Sequence, residues 1–155
     1  MKKQKPTSPK KYILTRARQL PLHTCYINPD WHESRMASIL ISRRHPTGHV
    51  TIGVYLTDLL ALGVKDSFYL FNRPAETLQE LVREQGDKGP LIEAPYSLVH
   101  NIIYGANAFA EDHGFKPHKA FRITQFILEE DTEDIELIDL EFGQNGKPVF
   151  IESLF

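Results

Sequence analysis

The chain has 155 residues, 41% hydrophobic and 25% charged, with a net charge of −2 at neutral pH. That length fits one domain hiding roughly 68–70% of its unfolded surface without a staple, and the lone cysteine, Cys25, excludes an internal disulfide or a multi-cysteine zinc site. No stretch approaches the roughly 18 apolar residues of a membrane span, and Tyr12-Ile13-Leu14 is too short for a secretory core, so no membrane contact and a cytoplasmic location are expected.

The near-neutral total conceals a split. Lys2, Lys3, Lys5, Lys10, Lys11, Arg16 and Arg18 fall in the first eighteen positions without one acid, giving +7 against −9 for the remainder. Residues 1–10, with Pro6, Ser8 and Pro9 among lysines, bury little apolar area and are predicted to form a flexible basic arm. Residues 11–155 are predicted to form a single α+β domain.

The stretch from Met36 to Asp58 predicts a β-hairpin. Ala37, Ile39 and Ile41 alternate on one arm and Val50, Ile52, Val54 and Leu56 on the other. His45-Pro46-Thr47-Gly48 fits a type I turn, and a four-residue loop pairs Ile41 with Ile52 and Ile39 with Val54. Leu40 and Tyr55 make the opposite face partly apolar, which places these strands centrally; Ser67 to Phe71 adds a third strand.

Pro74, the capping-box pair Thr77 and Glu80, and the stripe Leu78, Leu81 and Val82 predict a helix ending before Gly86. A loop follows to Pro95. Val99, Ile102, Ile103, Ala106, Phe109 and Ala110 then mark a long helix from Tyr96 to His113, capped by Gly114. A shorter helix over 118–128 turns Phe121, Phe126 and Ile127 inward. The chain closes with a second predicted hairpin, 135–142 returning as 147–151 around Asn145-Gly146, setting Phe142 opposite Val149, Leu140 opposite Ile151 and Asp139 opposite Glu152. In sum, two antiparallel hairpins contribute to a sheet covered on one side by the Pro74 and Tyr96 helices.

The basic start points to a polyanion. Seven phosphate contacts would give a salt slope near −6, and because the first eleven positions hold no aromatic residue, contact falls on RNA backbone and shape. This reading is a non-enzymatic accessory protein gripping RNA or the ribosome. Its rivals are a solvated tail, an acidic protein partner, and docking onto the chain's own acids at Glu129, Glu130, Asp131, Glu133, Asp134, Glu136, Asp139 and Glu141.

Two enzymatic alternatives carry less weight. Asp139 and Glu152, with Asp58 or Asp66, would hold a divalent ion for a nuclease or phosphohydrolase if the hairpins were neighbours; a bridging Arg122 or Lys147, or carboxylates splayed into water, is the plainer account. His100, Tyr104, Asn107 and Glu111 line one flank of the long helix and offer acid–base chemistry, but no nucleophile, oxyanion hole or phosphate loop accompanies them, which favours an ordinary polar face. Cys25, among Leu22, Tyr26 and Ile27, reads as a buried apolar residue, and His113 and His118 as capping and surface residues. No fingerprint calls for a cofactor. A third function class is a protein adaptor using the Gly86 to Pro95 loop or an uncovered sheet face.

The segments TIGVYLTDLLALGVKDSFY at 51–69 and LVHNIIYGANAFAEDHGFKPHKAF at 98–121 resemble segments of uncharacterised bacterial conserved proteins. The resemblance implies a bacterial, cytoplasmic origin and transfers no activity to any position.

Overall fold

The computed structural model describes residues 7–85 and 89–150. Strands β1 (Leu22–Ile27), β2 (Met36–Arg44), β3 (Val50–Asp58), β4 (Gly63–Arg73) and β5 (Ile92–Glu93) form one antiparallel sheet in the order β4-β3-β2-β1-β5. The helices are α1 (Pro9–Arg16), α2 (Trp31–Ser34), α3 (Ala75–Glu84), α4 (Tyr96–Asp112) and α5 (Phe121–Thr124), with 3₁₀ turns at Ala17–Gln19 and Gln125–Ile127. The class is α+β, as the mixed periodicities imply.

The β2–β3 hairpin forms where expected, in a different register. Gly48 N donates to His45 O at 2.9 Å, which is the anticipated turn, but Gly48 adopts φ +91°, and His45 N then donates to His49 O at 2.8 Å. One left-handed residue lengthens the loop, so Ile41 faces Gly53, Ile39 faces Tyr55 and Leu40 faces Val54, in place of the Ile41–Ile52 and Ile39–Val54 pairs. A shift of one residue reassigns every cross-strand partner between faces. Both faces therefore carry an apolar set.

Each set has its own cover. Ile39, Ile41, Tyr55 and Val64 pack with Cys25, Ile27 and, from the helices, Ile13, Val99, Ile102, Ile103 and Phe121. Leu40, Val50, Ile52 and Val54 pack with Leu78, Val82 and Leu91. The helices α3 and α4 thus lie on opposite sides of the sheet, not on the one side predicted for both, because the register gives the second face an apolar surface that must leave water. The α3 helix starts two residues ahead of its expected capping box, with Pro74 at the cap and Thr77 N donating to Pro74 O at 3.0 Å.

The N-terminal boundary also moves. Ser8 caps α1, its Oγ accepting from Lys11 N at 3.2 Å, so Pro9 and Lys10, expected in the arm, are helical. Ile13 and Ala17 are buried in the core. Lys2, Lys3 and Lys5 lie outside the described residues.

Of the predicted C-terminal hairpin, the turn forms and the ladder does not. Asn145 (φ 52°) and Gly146 (φ 76°) make the left-handed pair that a type I′ turn requires, and Gln144 and Lys147 exchange hydrogen bonds of 2.8 and 3.0 Å. Beyond that bridge the flanks bond elsewhere. Gly143 N donates to Leu59 O at 2.8 Å, Val149 N to Leu60 O at 3.0 Å, and Ile138 N to Asn101 Oδ1 at 3.1 Å. A Cβ at Gly105 would collide with the Phe142 ring, so this glycine lets the segment settle on α4. The expected Leu140–Ile151 and Asp139–Glu152 pairs involve residues outside the described part.

Candidate functional site

Helix α1 presents the basic sequence on a fixed scaffold. Its inner side is held by Ile13 and Ala17, and Tyr12 stacks edge-on against Phe71 at 5.1 Å and lies 5.6 Å from His45. Those contacts bring α1 to the His45–His49 end of the sheet. Lys10, Lys11 and Arg16 are exposed, as are Arg44 on β2 and Arg73 on β4, both paired with Val50 between them. Among the described residues, Lys10, Lys11 and Arg16 have no acidic partner; Arg16 lies 5.9 Å over the Tyr12 ring. No acid precedes Asp30 in the chain.

Arg18 departs from that set. Its Nε donates to Leu128 O at 2.8 Å, Nη2 to Gln125 O at 3.3 Å and Nη1 to Glu130 at 3.2 Å, while the guanidinium covers Phe126 at 4.7 Å. The self-docking rival is realised for this one residue. A second arginine, which the sequence reading passed over, does the same more deeply: Arg43 is 1% exposed and donates to Ile127 O (2.6 Å), Leu20 O (2.6 Å) and Glu129 Oε1 (3.0 Å). Its signal was parity, since Arg43 shares the inward phase of Ile39 and Ile41 along β2.

The flank of α4 divides in two. His100 is buried, and its Nε2 lies 3.1 Å from Glu129 O, a contact that requires Nε2 to carry the hydrogen. Burial pushes its pKa down, partly opposed by the nearby Glu129 main chain and Asp131. Tyr104 Oη also donates to Glu129 O, at 3.3 Å, and Glu129 N donates to Tyr96 Oη at 2.7 Å. These rings clamp the backbone of one residue, Glu129, from both its N–H and its C=O, and burial raises the pKa of both tyrosines.

Tyr104, Asn107 and Glu111 instead line a cleft of about 770 Å³ between α4 and the chain from Gly114 to Gln125. His100 is not part of its lining, so the four residues grouped by spacing do not form one site. Lys116, Lys119 and Arg122 line the same cleft, exposed and without ion-pair or hydrogen-bond partners for their side chains among the described residues. Asn107 is 6% exposed; its Oδ1 accepts from Val64 N at 2.8 Å, and its buried Nδ2 has no partner among the described residues. Spacing along α4 found the helical wall, but nothing in the sequence announced that the Gly114 to Gln125 segment would fold back as the cationic one.

The carboxylates proposed for a metal are dispersed in role. Asp58 caps the β3–β4 turn, accepting from Leu60 N at 2.9 Å and Leu62 N at 3.2 Å. Asp66 Oδ1 accepts from Ser67 N at 2.9 Å and lies 3.9 Å from His118 Nε2. Asp139 is exposed beside Leu140, and Glu152 lies outside the described residues. Among the described residues no three His, Cys, Asp or Glu side chains gather as a metal set. Cys25 is buried and its pKa is pushed up to about 12 by burial, which keeps it a thiol.

No described helix is long and apolar enough to cross a membrane. No protein-family model, curated protein or solved structure matches the chain.

Proposed function

We propose that the protein is a non-enzymatic accessory protein that binds RNA backbone, in the ribosome or another folded RNA, through α1 and the basic residues preceding it. One observation carries this reading: Lys10, Lys11 and Arg16 stand exposed and without acidic partners on a helix anchored by Ile13 and Ala17. A docked helix presents its charges at fixed spacing, so less side-chain and backbone freedom is lost on binding than for a free tail. Arg44 and Arg73 extend the positive surface across the adjoining sheet end. Arg18, occupied by Glu130 and two carbonyls, belongs to the body and not to the RNA surface. The net-negative remainder disfavours an extended polyanion over most of the rest of the surface.

The test is binding of a structured RNA across a salt series by wild type and by K10E/K11E/R16E. Three phosphate contacts from α1 give a log–log salt slope of roughly −2 to −3, and the residues before it steepen that value. The charge-reversed protein, its inward Ile13 and Ala17 untouched, loses binding at low salt. Equal affinity of the two proteins, or affinity insensitive to salt, defeats the reading.

A further inference from the structure

The cleft beside α4 combines features that α1 does not explain. Its volume, about 770 Å³, lies within the roughly 300–1,000 Å³ of small-molecule sites and exceeds what a bare inorganic anion fills. One wall carries Lys116, Lys119 and Arg122 within seven positions, their side chains without a partner among the described residues. Unpaired cations converging on a concave surface are what a phosphate ester, with several acceptor oxygens, satisfies by charge-assisted hydrogen bonds.

The rest of the cleft is not basic. Glu111 and Asp131 line it too, beside Tyr104 and Asn107. Carboxylates there disfavour a small free anion and favour a ligand offering hydrogen-bond donors at its other end. Asn107 lines the cleft as well: Oδ1 is occupied by Val64 N at 2.8 Å, and Nδ2 is a buried donor without an acceptor among the described residues, a deficit that a ligand acceptor would relieve. Tyr104 adds an aromatic surface and Gln125 a further amide.

We infer that this cleft binds a mononucleotide, with the phosphate on the Lys116, Lys119 and Arg122 wall and the nucleoside against Tyr104, Asn107 and Glu111. The phosphate meets the three cations; ring amino and ribose hydroxyl groups donate to Glu111 and Asp131. The site shares none of the three basic residues that carry the proposed RNA contact, so it stands or falls separately from that reading.

Titration of the full chain with AMP, GMP, CMP and UMP, followed by amide chemical shifts and calorimetry, tests it. At least one mononucleotide binds saturably, and the matching nucleoside and inorganic phosphate each bind at least tenfold more weakly. K119E/R122E, whose altered side chains are exposed, loses at least tenfold in affinity with an unchanged melting temperature. N107D keeps the acceptor for Val64 N while removing the free donor, and also binds more weakly. K10E/K11E/R16E binds the mononucleotide as wild type does, even where RNA binding is lost. Absence of saturable binding by all four mononucleotides, equal binding of nucleoside or phosphate alone, or unchanged affinity in K119E/R122E overturns the assignment.

Discussion

Arg43 Nη2 meets Glu129 Oε1 at 3.0 Å, joining the inward side of a central strand to the first acid of the C-terminal acidic run. The same guanidinium binds the carbonyls of Ile127 and Leu20, so the fork ties its own strand to two further chain segments, one at Leu20 and one at Ile127 to Glu129. Arginine suits this position because its donors lie in a plane and stay charged; lysine offers a single point charge. Removing the fork strands buried carbonyls, whereas removing Glu129, whose side chain is 41% exposed, leaves its partner with the carbonyls of Ile127, Leu20 and Arg18 as acceptors. Arg43→Met and Arg43→Lys are therefore expected to cost on the order of 3 kcal/mol, and Glu129→Gln under about 1 kcal/mol. Urea unfolding of the three variants reads both figures, and equal losses for Arg43→Met and Glu129→Gln contradict the account.

Gly53 is required by the ring two residues along its own strand. A Cβ at Gly53 would lie 2.8 Å from Tyr55 Cε2 and Cζ, and closer still to the hydroxyl, which donates to Thr124 O at 2.7 Å. Gly53→Ala must displace a fully buried tyrosine, at a cost of about 1–3 kcal/mol. Tyr55→Phe, which strands the Thr124 carbonyl, costs about 1–2 kcal/mol. In Gly53→Ala/Tyr55→Leu the clash is gone, so the double variant loses less than the sum of its singles. Additive losses in a thermal-unfolding cycle refute the proposed contact.

The same strand marks where the sequence was legible and where it was not. Alternation of Ile39 and Ile41, Val50 and Ile52, and helical spacing from Val99 to Ala110, depend on local period, and both elements form where that period puts them. Register depends on one φ at Gly48, and a turn motif does not specify whether its glycine adds a residue to the loop. The second core beneath α3 follows from that register. The C-terminal turn at Asn145-Gly146 obeyed its local chemistry, but the flanking strands answered to Leu59, Leu60 and Asn101, partners more than thirty residues away. The cleft is invisible for the same reason: Asn107 and Arg122 become neighbours only after the Gly114 turn reverses the chain.

Arg18 and Glu130 form an ion pair of 3.2 Å in which the arginine is one-quarter exposed and the glutamate largely exposed. A surface pair of that kind contributes about 0–1 kcal/mol. Arg18 does more, through two carbonyls and the face of Phe126 at 4.7 Å. Arg18→Ala is expected to cost about 1–2 kcal/mol and Glu130→Ala little, with the Arg18 effect largely retained at high salt because its carbonyl contacts are part-buried. Since Arg18 is already engaged, Arg18→Ala leaves the RNA salt slope within about one unit of wild type. A slope that collapses in this variant would return Arg18 to the RNA surface.

Acid should weaken the fold through two buried imidazoles. His100 sits against Glu129 O, and His45, its Nε2 2.6 Å from Thr51 Oγ1, packs against Tyr12 and Phe71. In both, burial is the largest influence and lowers the pKa below the ordinary 6.5, with His49 adding repulsion at His45 and acidic neighbours partly opposing the shift at His100. The folded state thus binds fewer protons than the unfolded chain as pH falls through about 6.5. Stability is full above that value and declines below it, and the decline comes from the histidines before the carboxylates titrate. His100→Gln keeps a side-chain N–H for the Glu129 carbonyl without a titrating ring, so its melting temperature is expected to fall less between pH 7.5 and 5.5 than that of wild type. Adding His45→Gln flattens the profile further, although loss of ring packing lowers the whole curve. Parallel profiles for wild type and His100→Gln would mean that the acid sensitivity arises elsewhere.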